Sequence, residues 1–149
     1  MSTALKSKFV SHMDTKTQVF SWQVLDNLTS EDARAAADII VNTVKANSSS
    51  VKVKLLVDNR FMERNGRAIV FTPEVNEIWE EAQRAVFPHV SHIAVLCSSI
   101  LMKMQMDRLS RNSNITDVNQ CFWNEQDEVM LKEAFDFLGI DANPLVTAR

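Results

Sequence analysis

Apolar positions along this chain change their spacing several times, and each change marks an element. Val51-Lys52-Val53-Lys54-Leu55 alternates and then turns wholly apolar through Leu56 and Val57 to Asp58, as expected of a strand entering a buried sheet. Ser91-His92-Ile93-Ala94-Val95-Leu96-Cys97 is a second run of this kind, and residues 118–123 form a weaker third. Upstream, residues 9–13 and 19–24 read as two strands joined around Asp14-Thr15-Lys16-Thr17. Phe20, Trp22 and Val24 share one face of the second, with Ser21 and Gln23 on the other, so the pair is a hairpin.

The gaps between strands carry helical spacing. Thr29 or Ser30 caps a first helix with Glu31 and Asp32 in its first turn, where the helix dipole favours acid, and Ala33, Ala36, Ala37, Ile40 and Val44 form its inward stripe. Thr72-Pro73-Glu74 starts a second, with Val75, Ile78, Trp79, Ala82 and Val86 inward until Pro88. Ser98 or Ser99 caps a third helix running to about Arg111. Asn124 is expected to cap the last, with Glu125 and Asp127 in its first turn and Gly139 at its stop. Residues 58–71 form the one long irregular segment, carrying Arg60, Arg64 and Arg67. Residues 1–7 and 144–149 are expected to be frayed tails. Strands alternating with helices imply one α/β domain over residues 1–149. Its sheet is mixed but mostly parallel, with about five strands joined by right-handed crossovers and packed by about four helices.

Composition narrows the function. At 149 residues and 46% hydrophobic content the chain suffices for one core. A net charge of −3 and a pI near 5.6 lack the basic footprint of sequence-independent nucleic-acid binding. No apolar run approaches the roughly 20 residues of a membrane span. The N-terminus has no apolar leader core, and Cys97 and Cys121 fall in buried strands, so a reducing cytoplasm is the expected location. The two glycines, Gly66 and Gly139, stand alone, which leaves no Gly-rich phosphate loop and disfavours dinucleotide oxidoreductases and P-loop nucleotidases.

The strand and helix order, the Asp58-Asn59-Arg60 that ends the third strand, Ile93-Ala94-Val95-Leu96, and the last strand running into Phe122-Trp123-Asn124-Glu125 together resemble the STAS family. Those are the sulfate-transporter and anti-sigma-factor-antagonist domains, and the likeness is to the stand-alone bacterial branch grouped with CRAL-TRIO-like lipid-transfer domains. It covers roughly residues 9–139. The resemblance implies a mixed sheet packed by helices and a role in protein interaction or small-ligand sensing rather than catalysis. Signalling members of that family carry a phosphorylatable Ser or Thr just after the Asp-bearing strand. Asn59 and Arg60 stand there in this chain, and no hydroxyl follows before Thr72, so a phosphorylation switch at that position is not expected.

Ligands of open parallel sheets gather beyond the carboxyl ends of the strands. That rule selects Asp58, Asn59 and Arg60 with Arg64, and Ser98 and Ser99 at a helix start, as candidates for binding an anion. The competing reading makes the serines and Asn124 ordinary caps and pairs Asp58 with an arginine. His12, His89 and His92 lack acidic companions at ligand spacing, so no metal or other cofactor is expected. No Gly-x-Ser-x-Gly elbow surrounds a serine, and the carboxylates Glu80, Glu81, Asp136 and Asp141 fall on exposed faces, so catalysis has no visible constellation.

The helix after Ser99 is apolar on two sides. Met102, Met106 and Leu109 make one stripe; Ile100, Leu101 and Met104 lie opposite, bordered by Lys103 and Asp107. One stripe must face the sheet, and Ile100, Leu101 and Met104 are then interface candidates. Two functions remain: a protein-interaction domain, binding a protein partner or a second copy of itself through this helix, or a carrier holding a small anionic or lipid ligand near Arg60 and Ser98.

Overall fold

The computed structural model describes residues 3–64, 67–69, 71–112 and 118–148. A short helix α1 (Thr3–Lys6) leads into strands β1 (Phe9–Asp14) and β2 (Val19–Val24). Helix α2 (Ser30–Asn47) and strand β3 (Val53–Asp58) follow, then a two-residue ladder, β4 (Glu63–Arg64) with β5 (Arg67–Ala68). Helix α3 (Pro73–Val86), strand β6 (Val90–Leu96), helix α4 (Ile100–Asn112), strand β7 (Asn119–Phe122) and helix α5 (Asp127–Leu138) complete the chain.

Five strands form one sheet in the order β1-β2-β3-β6-β7. β1 and β2 are antiparallel, whereas β2–β3, β3–β6 and β6–β7 are parallel. Parallel neighbours need a helical crossover, and a strand order that advances in one direction puts crossovers of one hand on one face. Accordingly α2, α3 and α4 share one core with Phe20, Trp22, Leu55, Val57, Ile93 and Val95, and their buried stripes are those the spacing predicts. The opposite face of the sheet, Val19, Leu56, Ala94, Leu96 and Phe122, is covered by Met130, Leu131, Ala134 and Leu138 of α5 together with Val146. β3 and β6 are therefore buried on both faces, which is why their sequences lose alternation.

Local signals explain most element ends. Thr29 and Asp32 form a reciprocal capping box on α2, with Asp32 N donating to Thr29 Oγ1 at 3.1 Å and Thr29 N to Asp32 Oδ2 at 3.2 Å. Thr72 Oγ1 caps α3 ahead of Pro73. Gly139, at φ +73°, closes α5 in the left-handed region, and the Lys54 ammonium donates to the Leu138 carbonyl at 2.6 Å, complementing the negative end of the helix.

Three boundaries differ from the expectations. Asn124 does not cap the last helix: its Oδ1 accepts from Gln126 N two residues on, forming a turn. Gln126 precedes α5 without a side-chain cap, and Asp127 and Glu128, rather than Glu125, occupy the first turn. The third strand begins at Val53, leaving Val51 exposed. Among the described residues each tail is anchored at one position rather than frayed throughout: Leu5 is buried against the larger core, and Val146 is fully buried on the α5 side.

Candidate functional site

The carboxyl end of β3 is occupied from within. Asp58 and Arg60 are both fully buried. Arg60 Nε donates to Asp58 Oδ1 at 2.9 Å and Nη2 to Asp58 Oδ2 at 2.8 Å, a two-pronged fork. Nη1 reaches Asp127 Oδ2 at 3.1 Å, Nη2 also donates to the Thr147 carbonyl at 2.8 Å, and the guanidinium lies 5.5 Å from the centre of the Phe61 ring. Gln23 Nε2 adds a hydrogen bond to Asp58 Oδ2 at 2.9 Å. One cation thus joins the end of β3, the first residue of α5 and the C-terminal segment. It closes the sheet end instead of opening it. Arg60 is sealed from solvent, so the expectation that it meets an anion from outside is corrected to a structural ion pair, the pairing of Asp58 with an arginine.

The other strand-end candidates separate. Asn59 is buried and turns Nδ2 toward Met106 Sδ at 3.6 Å, placing it under α4. Ser99 Oγ accepts from Met102 N at 3.1 Å and so caps α4, while Ser98 Oγ donates to the Met62 carbonyl at 3.4 Å. Both hydroxyls serve the backbone. The side chain of Arg64, like Gly66 and the side chain of Arg67, lies outside the described residues. Sequence spacing had no means of finding Asp127 and Thr147 as partners of Arg60, since they stand 67 and 87 positions away.

α4 presents the contrasting surface. Met102, Met106 and Leu109 are buried against the sheet, whereas Ile100, Leu101 and Met104 are 55%, 60% and 63% exposed. Of the large apolar side chains exposed among the described residues (these three, Val51 and Val129), three lie within five positions of one helix. Arg108 and Arg111 share the outer face, and a shallow groove of about 420 Å³ runs along Leu101, Met104, Gln105, Asp107, Arg108 and Arg111. On one border Lys103 Nζ pairs with Asp107 Oδ2 at 3.2 Å, and this hydrogen bond holds the ammonium above its ordinary value.

Beneath α4, Cys97 and Cys121 are buried free thiols; Cys121 lies in β7, whereas Cys97 sits just past the end of β6 rather than within a strand as expected, its N–H donating to the Phe122 carbonyl at 2.9 Å. The Cys121 thiol is pushed far up, first by its hydrogen bond with Cys97 and then by burial, so it stays protonated and is a poor nucleophile. No helix among the described residues is long and apolar enough to cross a membrane. Compared with known proteins, the chain matches no protein-family model, no curated protein and no solved structure.

Proposed function

We propose that this chain is a non-enzymatic, STAS-like interaction domain whose docking surface is the outer face of α4 and whose first partner is a second copy of itself. The observation that carries the reading is the exposure of Ile100, Leu101 and Met104 on a helix whose opposite stripe is fully used by the core. A lone exposed Leu needs no explanation; three large apolar side chains side by side on one turn and a half of helix do.

The surface pattern favours a second copy. An antiparallel pairing of two α4 helices about Met104 sets like borders against each other, with the internal Lys103–Asp107 pair of one copy alongside that of the other and Ile100 of each copy opposite Arg108 of the other. The stems of Arg108 cover the apolar side chain of Ile100 across the axis while their guanidinium groups stay wet. A helix of 13 residues is about 20 Å long, so this contact falls at the small end of specific interfaces and gives a weak, concentration-dependent dimer.

The test compares Met104→Glu with Met106→Glu by light scattering and circular dichroism. Met104→Glu should leave a folded monomer under conditions where the wild type dimerises, and Met106→Glu should unfold the domain. Unfolding by Met104→Glu, or a wild type that stays monomeric at high concentration, would remove this reading. The carrier reading loses its anchor, since the Arg60 guanidinium is committed to Asp58 and Asp127.

A further inference from the structure

A cavity of about 50 Å³ lies in the core between the sheet and the inner faces of α3 and α4. Its walls are almost wholly apolar, with Leu55, Val57, Ile93 and Val95 from the sheet and Met106 and Leu109 from α4. Three of the residues that line it, Trp79, Asn59 and Gln83, carry polar side-chain groups. Trp79 Nε1, Asn59 Oδ1 and Gln83 Oε1 are all buried and have no hydrogen-bond partner among the described residues. Asn59 and Trp79 are themselves more than nine-tenths buried, at 3% and 7% exposure. Buried polar atoms are nearly always paired, and three orphans around one empty space call for something that fills it.

The chemistry of that occupant follows from the walls. No charged side chain lines the cavity, so an ion would be stripped of water without a counter-charge. Trp79 offers one donor, and Asn59 and Gln83 offer two acceptors. Their complement is a neutral group with one acceptor and two donors. A primary amide has this set: its oxygen accepts from the indole N–H and its two N–H bonds point to the two side-chain oxygens. A single water has the same set, but it needs only about 10–15 Å³ and would leave the apolar remainder unfilled. The volume is about a third of the roughly 150 Å³ cavity that admits benzene, which suits a ligand of a few heavy atoms. We propose that this cavity is a binding site for a small primary amide, with its head on Trp79, Asn59 and Gln83 and a short alkyl tail against Val95 and Met106. The site is separate from the docking face, since Met106 and Leu109 lie on the side of α4 opposite Met104, so either can fail alone.

Acetamide is the probe, added to the full chain while the indole N–H resonances of Trp22, Trp79 and Trp123 are followed by NMR, with Trp79→Phe assigning the signal. A saturable shift of the Trp79 resonance is expected, with Trp123 unmoved. N,N-dimethylacetamide, bulkier and without donors, should bind about tenfold or more weakly, the discrimination a close-fitting pocket gives for added methyl groups. Ala82→Leu, which fills the cavity from α3, should abolish saturation at unchanged circular dichroism; if that variant does not fold, Val86→Leu makes the same test. A linear drift shared by all three indoles, saturation that survives filling, equal response to both amides, or a long-lived water still bound to Trp79 Nε1 at high acetamide would each overturn the proposal.

Discussion

Replacing Arg60 by methionine keeps most of the side-chain length and removes the one cation that Asp58 and Asp127 share. Both carboxylates are buried, at 0% and 9% exposure, so neither can recover its hydration without opening the junction of β3, α5 and the C-terminal segment. Removing one partner from a buried ion pair costs about 3–5 kcal/mol, because the remaining charge is left uncompensated. Domain stabilities are of order 5–15 kcal/mol, so this one change consumes a large share. For a chain of this size about 2–4 °C of melting temperature go with each kcal/mol, which puts the loss at about 6–20 °C. Urea unfolding followed by far-ultraviolet circular dichroism and tryptophan fluorescence measures it, with an unchanged denaturant slope confirming that the native state is still compact. Lys132→Met is the control: its partner Asp136 is 3.2 Å away, a distance close to that of Arg60 from Asp127, but both side chains are mostly exposed, and the expected change is within about 0.5 kcal/mol. If Arg60→Met proves as mild as Lys132→Met, the junction does not hold the sheet end together and the assignment of Arg60 to structure fails.

Three further outcomes are expected. Trp79→Ala should cost about 3–5 kcal/mol by chemical denaturation, since the ring packs on Phe71 at 6.0 Å and is buried under α3; an unchanged midpoint would show the helix phase to be wrong. Asp32 is held below its ordinary value of 3.8 chiefly by the hydrogen bond from Lys8, so its contribution is complete above that value and fades as pH falls through the lower, folded-state value. Lys8→Met should therefore lower stability modestly at neutral pH, by about 1 kcal/mol for a half-buried pair at the surface, with the difference from wild type vanishing in strong acid; a pH-independent difference would contradict this. In native protein, iodoacetamide should modify Cys121 no faster than global unfolding exposes it, as mass spectrometry of alkylated peptides would show; rapid labelling of the folded chain would contradict its burial and raised thiol.

What the sequence could reveal was whatever depends on near neighbours. The inward stripes of α2 and α3 and the division of α4 into Met102, Met106 and Leu109 against Ile100, Leu101 and Met104 follow from helical periodicity alone. The loss of alternation in β3 and β6 followed from two-sided burial. Arg60 was misplaced because an arginine in an irregular segment reads as solvated, and the groups that bury it arrive from α5 and the last residues of the chain. Asn124 was misplaced for a local reason: a side-chain oxygen accepting from a backbone N–H two residues on serves a turn as well as a helix cap. The cavity was invisible because its three polar atoms, on Asn59, Trp79 and Gln83, occupy positions that spacing marks only as strand end and helix.

The central claim is that two copies meet about Met104, and cross-linking at that position tests it most directly. In a Met104→Cys chain the two introduced thiols face each other across the axis, while Cys97 and Cys121 are buried and stay out of the reaction. Under mild oxidation at a concentration where the wild type dimerises, Met104→Cys should form a disulfide-linked dimer rapidly, and Val129→Cys, exposed on α5 across the sheet, should not. Equal rates at the two positions, or no covalent dimer at position 104, would contradict the account.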